Sequence, residues 1–453
     1  MLQVSYSMHY LRILVSDFPI KYLLMTRKDL WIFGILLISF SCTTLAQYQN
    51  IRIDENSTGG YGPCEPSIAV SPSDPNNLVA GSILDRVYYS NDGGLTWQKD
   101  TLKSTYGVYG DPVIIADYQG NFYYFHLSNP YGEISWSGHK LDRIVCQTST
   151  DSGLSWTDGG FAGFHHPKDQ DKQWAIADPN DHTIYMTWTQ FDAYSSKAPE
   201  DKSNILFAKS TDQGATWSES VVINEKPGDC LDGDQTTEGA VPAIGPNGEV
   251  YVAWSFDNRI YFDRSTDQGS TWMEQDVVVA KQPKGWDFEI PEIGRANGLP
   301  ITACDISDGP ERGAIYVNWA DQSNGEDDTD IWVAKSTDGG MSWEDPVRVN
   351  DDPPGKQQFF TWMSVDPMTG YIYVVFYDRR NYEDARTDVY LAWSKDGGAT
   401  FTNELISESP FKPNPNQFFG DYNNISAYNG KVRPIWTRQE GDTLSVWTAI
   451  IDK

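Results

Sequence analysis

The chain has 453 residues, with 34 Lys+Arg against 63 Asp+Glu and a formal net charge of −29 at pH 7. That length exceeds one compact two-layer core and suits a large repeat fold or several domains. The charge excludes nucleic-acid binding through a general basic field and confines any anionic ligand to a local arginine pocket.

Residues 1–46 read as an upstream extension followed by a secretory signal. The stretch MTRKDLWIFGILLISFSCTTLAQ starts at Met25, carries Arg27 and Lys28, then runs apolar from Leu30 to Phe40 and small up to Ala46. This three-part pattern is too short for a spanning helix. Met25 is the expected initiator and Gln47 the expected first exported residue. Cys42 offers a rival lipoprotein anchor, which Phe40 fits poorly. The expected location is therefore outside the cell or on its surface. No later segment is apolar enough to span a membrane. Export permits disulfides, but Cys64, Cys146, Cys230 and Cys304 are widely spaced and none has metal-ligand spacing, so buried free thiols or one incidental bridge are expected.

Residues 47–453 read as one repeat domain. An octapeptide recurs as SNDGGLTW (90–97), STDSGLSW (149–156), STDQGATW (210–217), STDQGSTW (265–272), STDGGMSW (336–343) and SKDGGATF (394–401). The steps between copies are 59, 61, 55, 71 and 58 residues, the period of a propeller or solenoid. Between copies the pattern is strand, turn, strand, as in WAIAD–PNDH–TIYMTWTQF and WMSVD–PMTG–YIYVVFYD. A third strand enters each octapeptide and a fourth leaves it. The expected fold is all-β, a β-propeller of four-stranded antiparallel blades. After the sixth octapeptide three more strands follow (NISAYNG, VRPIWTR, LSVWTAII), and QNIRID at 49–54 matches the outgoing strands. The N-terminal strand is thus expected to close the ring, giving seven blades, with six as the alternative. Asp92, Asp151, Asp212, Asp267, Asp338 and Asp396 of the octapeptides sit in hairpins spread around the ring. They cannot converge on one substrate and are expected to be structural.

This octapeptide is the Asp-box, or bacterial neuraminidase repeat, and the chain resembles the sialidase-like propellers over nearly its whole mature length. The resemblance implies a glycan-directed protein. For the bacterial sialidases it further implies three arginines gripping a substrate carboxylate, a Tyr–Glu nucleophile pair and an Asp acid/base. The Arg-Ile-Pro motif of those enzymes is absent; EPSIAV stands in that region, with Glu65.

The site is expected on the face opposite the octapeptides. The approaches to the first strands bring Glu65, Asp111, Asp171, Glu238 and Asp421 within one residue of equivalent positions. Such a ring could bind a cation or supply two carboxylates to a glycosidase. Asp111 or Asp421 is the candidate acid/base, and Tyr422 or Glu238 the candidate nucleophile. The loops between second and third strands carry arginines, of which Arg379, Arg380 and Arg438, with Arg295 before a first strand, are the candidates for gripping an anionic sugar. A lyase alternative uses His126, Tyr131, His139 and Arg143 in the second blade. The non-catalytic alternative is a glycan- or protein-binding propeller. The acidic NGEDDTD stretch (324–330) lacks EF-hand spacing, so no metal ligands are assigned, no cofactor is required, and a structural calcium remains open. A monomer is expected.

Overall fold

The computed structural model describes residues 47–56, 61–129 and 141–453, and Ala46–Lys453 forms one compact unit. The expected upstream extension and signal, including Met25 and Cys42, lie outside the described residues. Seven four-stranded antiparallel sheets follow one another along the chain. Blade 1 runs from Ser67–Val70 to Gln98–Thr101, blade 2 from Val113–Ala116 to Gly160–Ala162, and blade 3 from Asp169–Ala177 to Val221–Val222. Blade 4 spans Glu238–Ile244 to Val277–Lys281, blade 5 Ile301–Cys304 to Val347–Arg348, and blade 6 Gln358–Val365 to Thr402–Leu405. Blade 7 takes Asn424–Tyr428, Lys431–Glu440 and Thr443–Asp452 from the C-terminus and Gln49–Asn56 from the N-terminus. The pairing runs from Gln49↔Ile450 to Asn56↔Leu444, so seven blades, not six, form the ring. Lys453 Nζ reaches Glu404 Oε2 at 2.7 Å and Tyr48 OH also contacts Glu404, tying the residue before the Gln49–Asn56 strand and the C-terminal residue to the outer strand of blade 6.

The middle strands are buried on both faces because each sheet is sandwiched between neighbours. They therefore read as continuous apolar runs, as in Phe122–Leu127 and Ile184–Phe191, where every residue is buried. The outer strands are short and exposed, as in Gln98–Thr101 and Val221–Val222, which limits the edge open to pairing with another chain. Cys64, Cys146, Cys230 and Cys304 are free and buried, and no bridge joins them.

Each octapeptide satisfies itself. In the first, Ser90 Oγ donates to Asp92 Oδ1 (2.8 Å), Thr96 N donates to Oδ1 (2.9 Å) and Thr96 Oγ1 to Oδ2 (2.6 Å). Trp97 Nε1 closes on Gly94 O at 2.9 Å. The same pattern of Ser and Thr/Ser donors holds Asp151, Asp212, Asp267, Asp338 and Asp396. The Thr271 and Ser342 hydroxyls, with the backbone N–H groups beside them, hold the Asp267 and Asp338 carboxyls down to about 2.

Among the described residues, one element falls outside the blade pattern. A hairpin, Asp287–Ile290 with Ile293–Asn297, lies between blades 4 and 5. It accounts for the long 71-residue step between the fourth and fifth octapeptides.

Candidate active site at the channel mouth

The seven inner strands line an axial channel of about 270 Å³. Uninterrupted pairing along them starts at Ser67, Val113, Trp174, Val241, Ile301, Trp362 and Asn424, the ladders having slipped just before Trp174, Val241 and Trp362. Trp174 and Trp362 meet at 4.1 Å between ring centroids, and Tyr422 packs edge-on against Trp174 at 5.2 Å. These rings close the channel on the face away from the octapeptides. Beside them a cavity of about 30 Å³ touches Lys172 and Asp421.

Two residues before those paired positions stand Glu65, Asp111, Lys172, Gly239, Leu299, Phe360 and Tyr422. Glu65, Asp111, Lys172 and Phe360 all have left-handed backbone, with φ of 53°, 49°, 52° and 48°. For non-glycine residues this costs of order 1–3 kcal/mol each. Gly239 takes the same region at φ 81°, and a Cβ there would meet Leu299 Cβ at 2.7 Å. The other positions keep large or charged side chains where glycine would relieve the backbone. Such strain concentrates where side chains are held for a purpose.

The charged members converge. Lys172 Nζ lies 2.8 Å from Asp421 Oδ2 and 3.5 Å from Asp111 Oδ2. Arg295, from the extra hairpin, places Nε 3.4 Å from Asp421 Oδ1 and a terminal nitrogen 3.3 Å from Asp232 Oδ2. Tyr194 OH donates to Asp232 Oδ2 at 2.5 Å. Asn297 Nδ2 donates to Asp421 O at 2.9 Å, docking the hairpin on blade 7. Asp421 N donates to Glu65 Oε1 at 3.1 Å. Three members reach solvent: the Arg295 side chain is 37% exposed, and those of Asp111 and Asp232 14% each. Lys172 and Asp421 are nearly enclosed.

Electrostatics sorts the carboxyls into two kinds. Burial alone would raise Asp421, but Lys172 and Arg295 outweigh it and hold its carboxyl below the usual range. Burial, then Asp111 and Asp421, push Glu65 far up. Burial and Asp111 push Asp171 to about 8. Burial, then Asp232, push Glu238 far up, and neither of its oxygens has a hydrogen-bond partner among the described residues. Lys172 loses by burial but gains more from Asp111 and Asp421, so it stays charged. The ring is thus a mixture of ionised and protonated carboxyls around two fixed cations.

The residues singled out from sequence divide accordingly. Asp111, Glu238, Asp421 and Arg295 join this cluster, with Glu65 and Asp171. Tyr422 belongs to the aromatic plug; its hydroxyl faces Pro112 O at 3.4 Å, and burial followed by Glu65 raises it far above the usual phenol range. Arg379 lies over Phe359 and donates to Thr387 Oγ1 (3.0 Å) and to Pro291 O (2.7 Å), so it props the turn of the hairpin that carries Arg295. Burial lowers it to about 10. Arg380 is engaged by Asp378 at 2.7 Å, by Asp351 and by the face of Tyr390. Arg438 is buried against Trp447 and reaches Glu440 at 2.9 Å. The three arginines expected to share one anion are therefore committed to separate contacts.

His126 is fully buried, with its ring nitrogens 2.9 Å from Leu127 O and 3.2 Å from Gln147 Oε1; burial drives it down to about 4. Arg143 grips Asp142 through two nitrogens at 2.8 Å and stacks on Phe164. Tyr131 and His139 lie outside the described residues. In the NGEDDTD stretch, Asp328 accepts from Gly355 N, and Asp330 accepts from Arg348, Asn350 and Asn324.

Sequence reading missed Lys172, Asp232 and Tyr194. Lys172 directly follows Asp171 in the approach DKQWA (171–175) and is the one base at a ring position. Asp232 and Tyr194 come from irregular loops with no repeat to mark them.

Comparison with known proteins follows the same lines. The BNR/Asp-box repeat family matches residues 88–99. No curated protein matches the sequence. The chain is similar in fold to an ulvan lyase of polysaccharide lyase family PL25 bound to -[GlcA(1-4)Rha3S]-, with a TM-score of 0.53 and 13% identity over 89% of this chain and 96% of that one. It is similar to the NanB sialidase from Streptococcus pneumoniae, with a TM-score of 0.51 and 9% identity over 83% of each chain. It is also similar to the α-L-arabinofuranosidase Arb93A from Fusarium graminearum, with a TM-score of 0.50 and 11% identity over 89% and 98%. At these identities the likeness is one of fold.

Proposed function

For a chain with the sialidase-like Asp-box propeller fold, we propose an exported glycoside hydrolase that works at the channel mouth. One observation carries the reading: the strained approaches to the inner strands gather ionised and protonated carboxyls around Lys172 and Arg295. Carboxyls whose surroundings push their proton affinities apart are the working parts of acid/base chemistry on glycosidic bonds. The structural neighbours named above that act on glycans lend the substrate class support.

In this reading Asp111 is the acid/base, because it is the ring carboxylate that faces solvent. Asp171 and Glu65 beside it hold protons at neutral pH. Tyr194 is the nucleophile, passing its proton to Asp232 as its oxygen bonds to the anomeric carbon. The bond to the leaving-group oxygen breaks as Asp111 relays to that oxygen the proton held by Asp171. Water, whose proton passes through Asp111 back to Asp171, then bonds to the anomeric carbon; the bond from that carbon to Tyr194 breaks, and Tyr194 recovers its proton from Asp232. Arg295 holds an anionic or polar substituent of the sugar. Lys172 and Asp421 fix the charge beneath.

The test is product analysis on a glycan panel with Asp111→Asn and Tyr194→Phe. Each should cost at least 10²-fold in kcat on the substrate found, with little change in folding. Wild-type turnover in both variants would sink the assignment. Unsaturated products would show a lyase, and binding without product a recognition module.

A further inference from the structure

A second acidic group lies outside the channel-mouth cluster, on the outer strands where blades 3 and 4 adjoin. Glu225 follows Val221–Val222, the outer strand of blade 3. Asp263 lies in Arg259–Ser265 and Asp276 just before Val277–Lys281, the third and fourth strands of blade 4. One carboxylate oxygen from each lies within 4.8 Å of the other two.

The backbone fixes this arrangement. Glu225 N donates to Asp276 Oδ2 at 3.2 Å, and Asp276 N donates to Glu225 Oε2 at 2.6 Å. Asp263 Oδ1 accepts from Arg264 N (2.6 Å) and Met273 N (3.0 Å). Asp263 is 0% exposed, yet its Oδ2 has no hydrogen-bond partner among the described residues; neither has Asp276 Oδ1. The nearest guanidinium in sequence, that of Arg264, is turned to Gly339 O at 2.8 Å and to Met341.

The scaffold does not require an acid at 263. Two residues before the octapeptide serine, the other blades carry Tyr88, Gln147, Ala208, Ala334 and Ala392. A buried carboxylate with a bare oxygen is costly unless it is paired. Three carboxylates this close repel one another, and all three offer hard oxygen donors. A divalent cation that accepts irregular oxygen coordination answers all of these conditions, and calcium does so more readily than magnesium, which demands a near-ideal octahedron.

We propose that Glu225, Asp263 and Asp276 bind a calcium ion that ties the outer strand of blade 3 to that of blade 4. Water and nearby carbonyl oxygens complete the coordination.

The test is thermal unfolding of the full exported chain after chelator treatment, with CaCl₂ titrated against NaCl of equal ionic strength. The control matters because salt alone screens an acidic protein. Calcium at a hundred times its Kd should raise Tm by about 3 °C beyond the NaCl effect. Asp276→Asn and Glu225→Gln, which alter partly exposed groups, should each lose that rise. Asp263→Asn should do the same if it folds; the other two variants decide the matter if it does not. A wild-type chain that responds no more to calcium than to NaCl overturns the proposal. So does an unchanged calcium response in both Asp276→Asn and Glu225→Gln.

Discussion

The two faces of the propeller use the same carboxylates to opposite ends. On the octapeptide face each Asp has its own donors, supplied within four residues by Ser, Thr and backbone N–H groups. Asp267 and Asp338 titrate near 2. At the channel mouth the acids outnumber their donors. Asp171 is pushed to about 8, and Glu238 keeps both oxygens without partners among the described residues. The first arrangement repeats with the scaffold and stabilises it locally. The second is irregular, held on strained backbone, and stands only because two cations sit within it.

That contrast breaks most sharply at Lys172. Lys172→Met removes the ammonium that neutralises Asp421 and Asp111 and leaves uncompensated charge in a nearly closed site. Chemical denaturation at pH 7 should show a loss of about 3–5 kcal/mol. The loss should shrink toward pH 5, where more of the carboxyls take up protons. A loss below about 1 kcal/mol at pH 7 would mean that the cluster is far better solvated than its burial implies.

The next effect has a sign that differs between members of the cluster. Asp171 has a raised folded-state pKa, so its contribution is fully present below the unfolded value near 4 and is lost as pH rises toward 8. Glu238 acts in the same direction. Asp421 is depressed, so its contribution is present above the unfolded value and is lost as pH falls through the lower folded one. Between pH 5 and 8 the wild type should therefore lose stability. One such proton contributes about 1.4 kcal/mol per pH unit. Asp171→Asn should remove its share of that slope and be more stable than the wild type at pH 8, as read by urea midpoints across the range. An unchanged slope in Asp171→Asn would show that the proton is held elsewhere.

The fold was legible because the octapeptide is a local solution repeated at a fixed step. Its missing seventh copy, with the strand at 49–54, indicated how the ring closes. The extra hairpin left only the 71-residue step as a trace. The site was half legible. Acids at the strand approaches could be aligned by eye, and five of them do converge. Which residue stands at the ring position could not, because the ladder slips between Asp171 and Trp174, Glu238 and Val241, and Phe359 and Trp362. That slip puts Lys172 rather than Asp171 at the equivalent position. The arginines misled for another reason. Arg379 and Arg380 sit in the loop after Ile372–Asp378 and Arg438 near the end of the strand Lys431–Glu440, but each is used by aromatic rings or acids of its own neighbourhood, which no linear pattern reveals.

The smallest expected effect lies on the opposite face. Asp92→Ala removes the acceptor for Ser90 Oγ, Thr96 N and Thr96 Oγ1, all at the surface of one hairpin. Water replaces most of what is lost, so the cost should be about 1 kcal/mol, with turnover unchanged. The same substitution in a second blade, Asp396→Ala, should add to it, because the two hairpins share no partner. Denaturation of the double variant reads the sum directly. A loss of activity without a matching loss of stability would move the octapeptide from the scaffold to the chemistry, and would erase the distinction between the two faces.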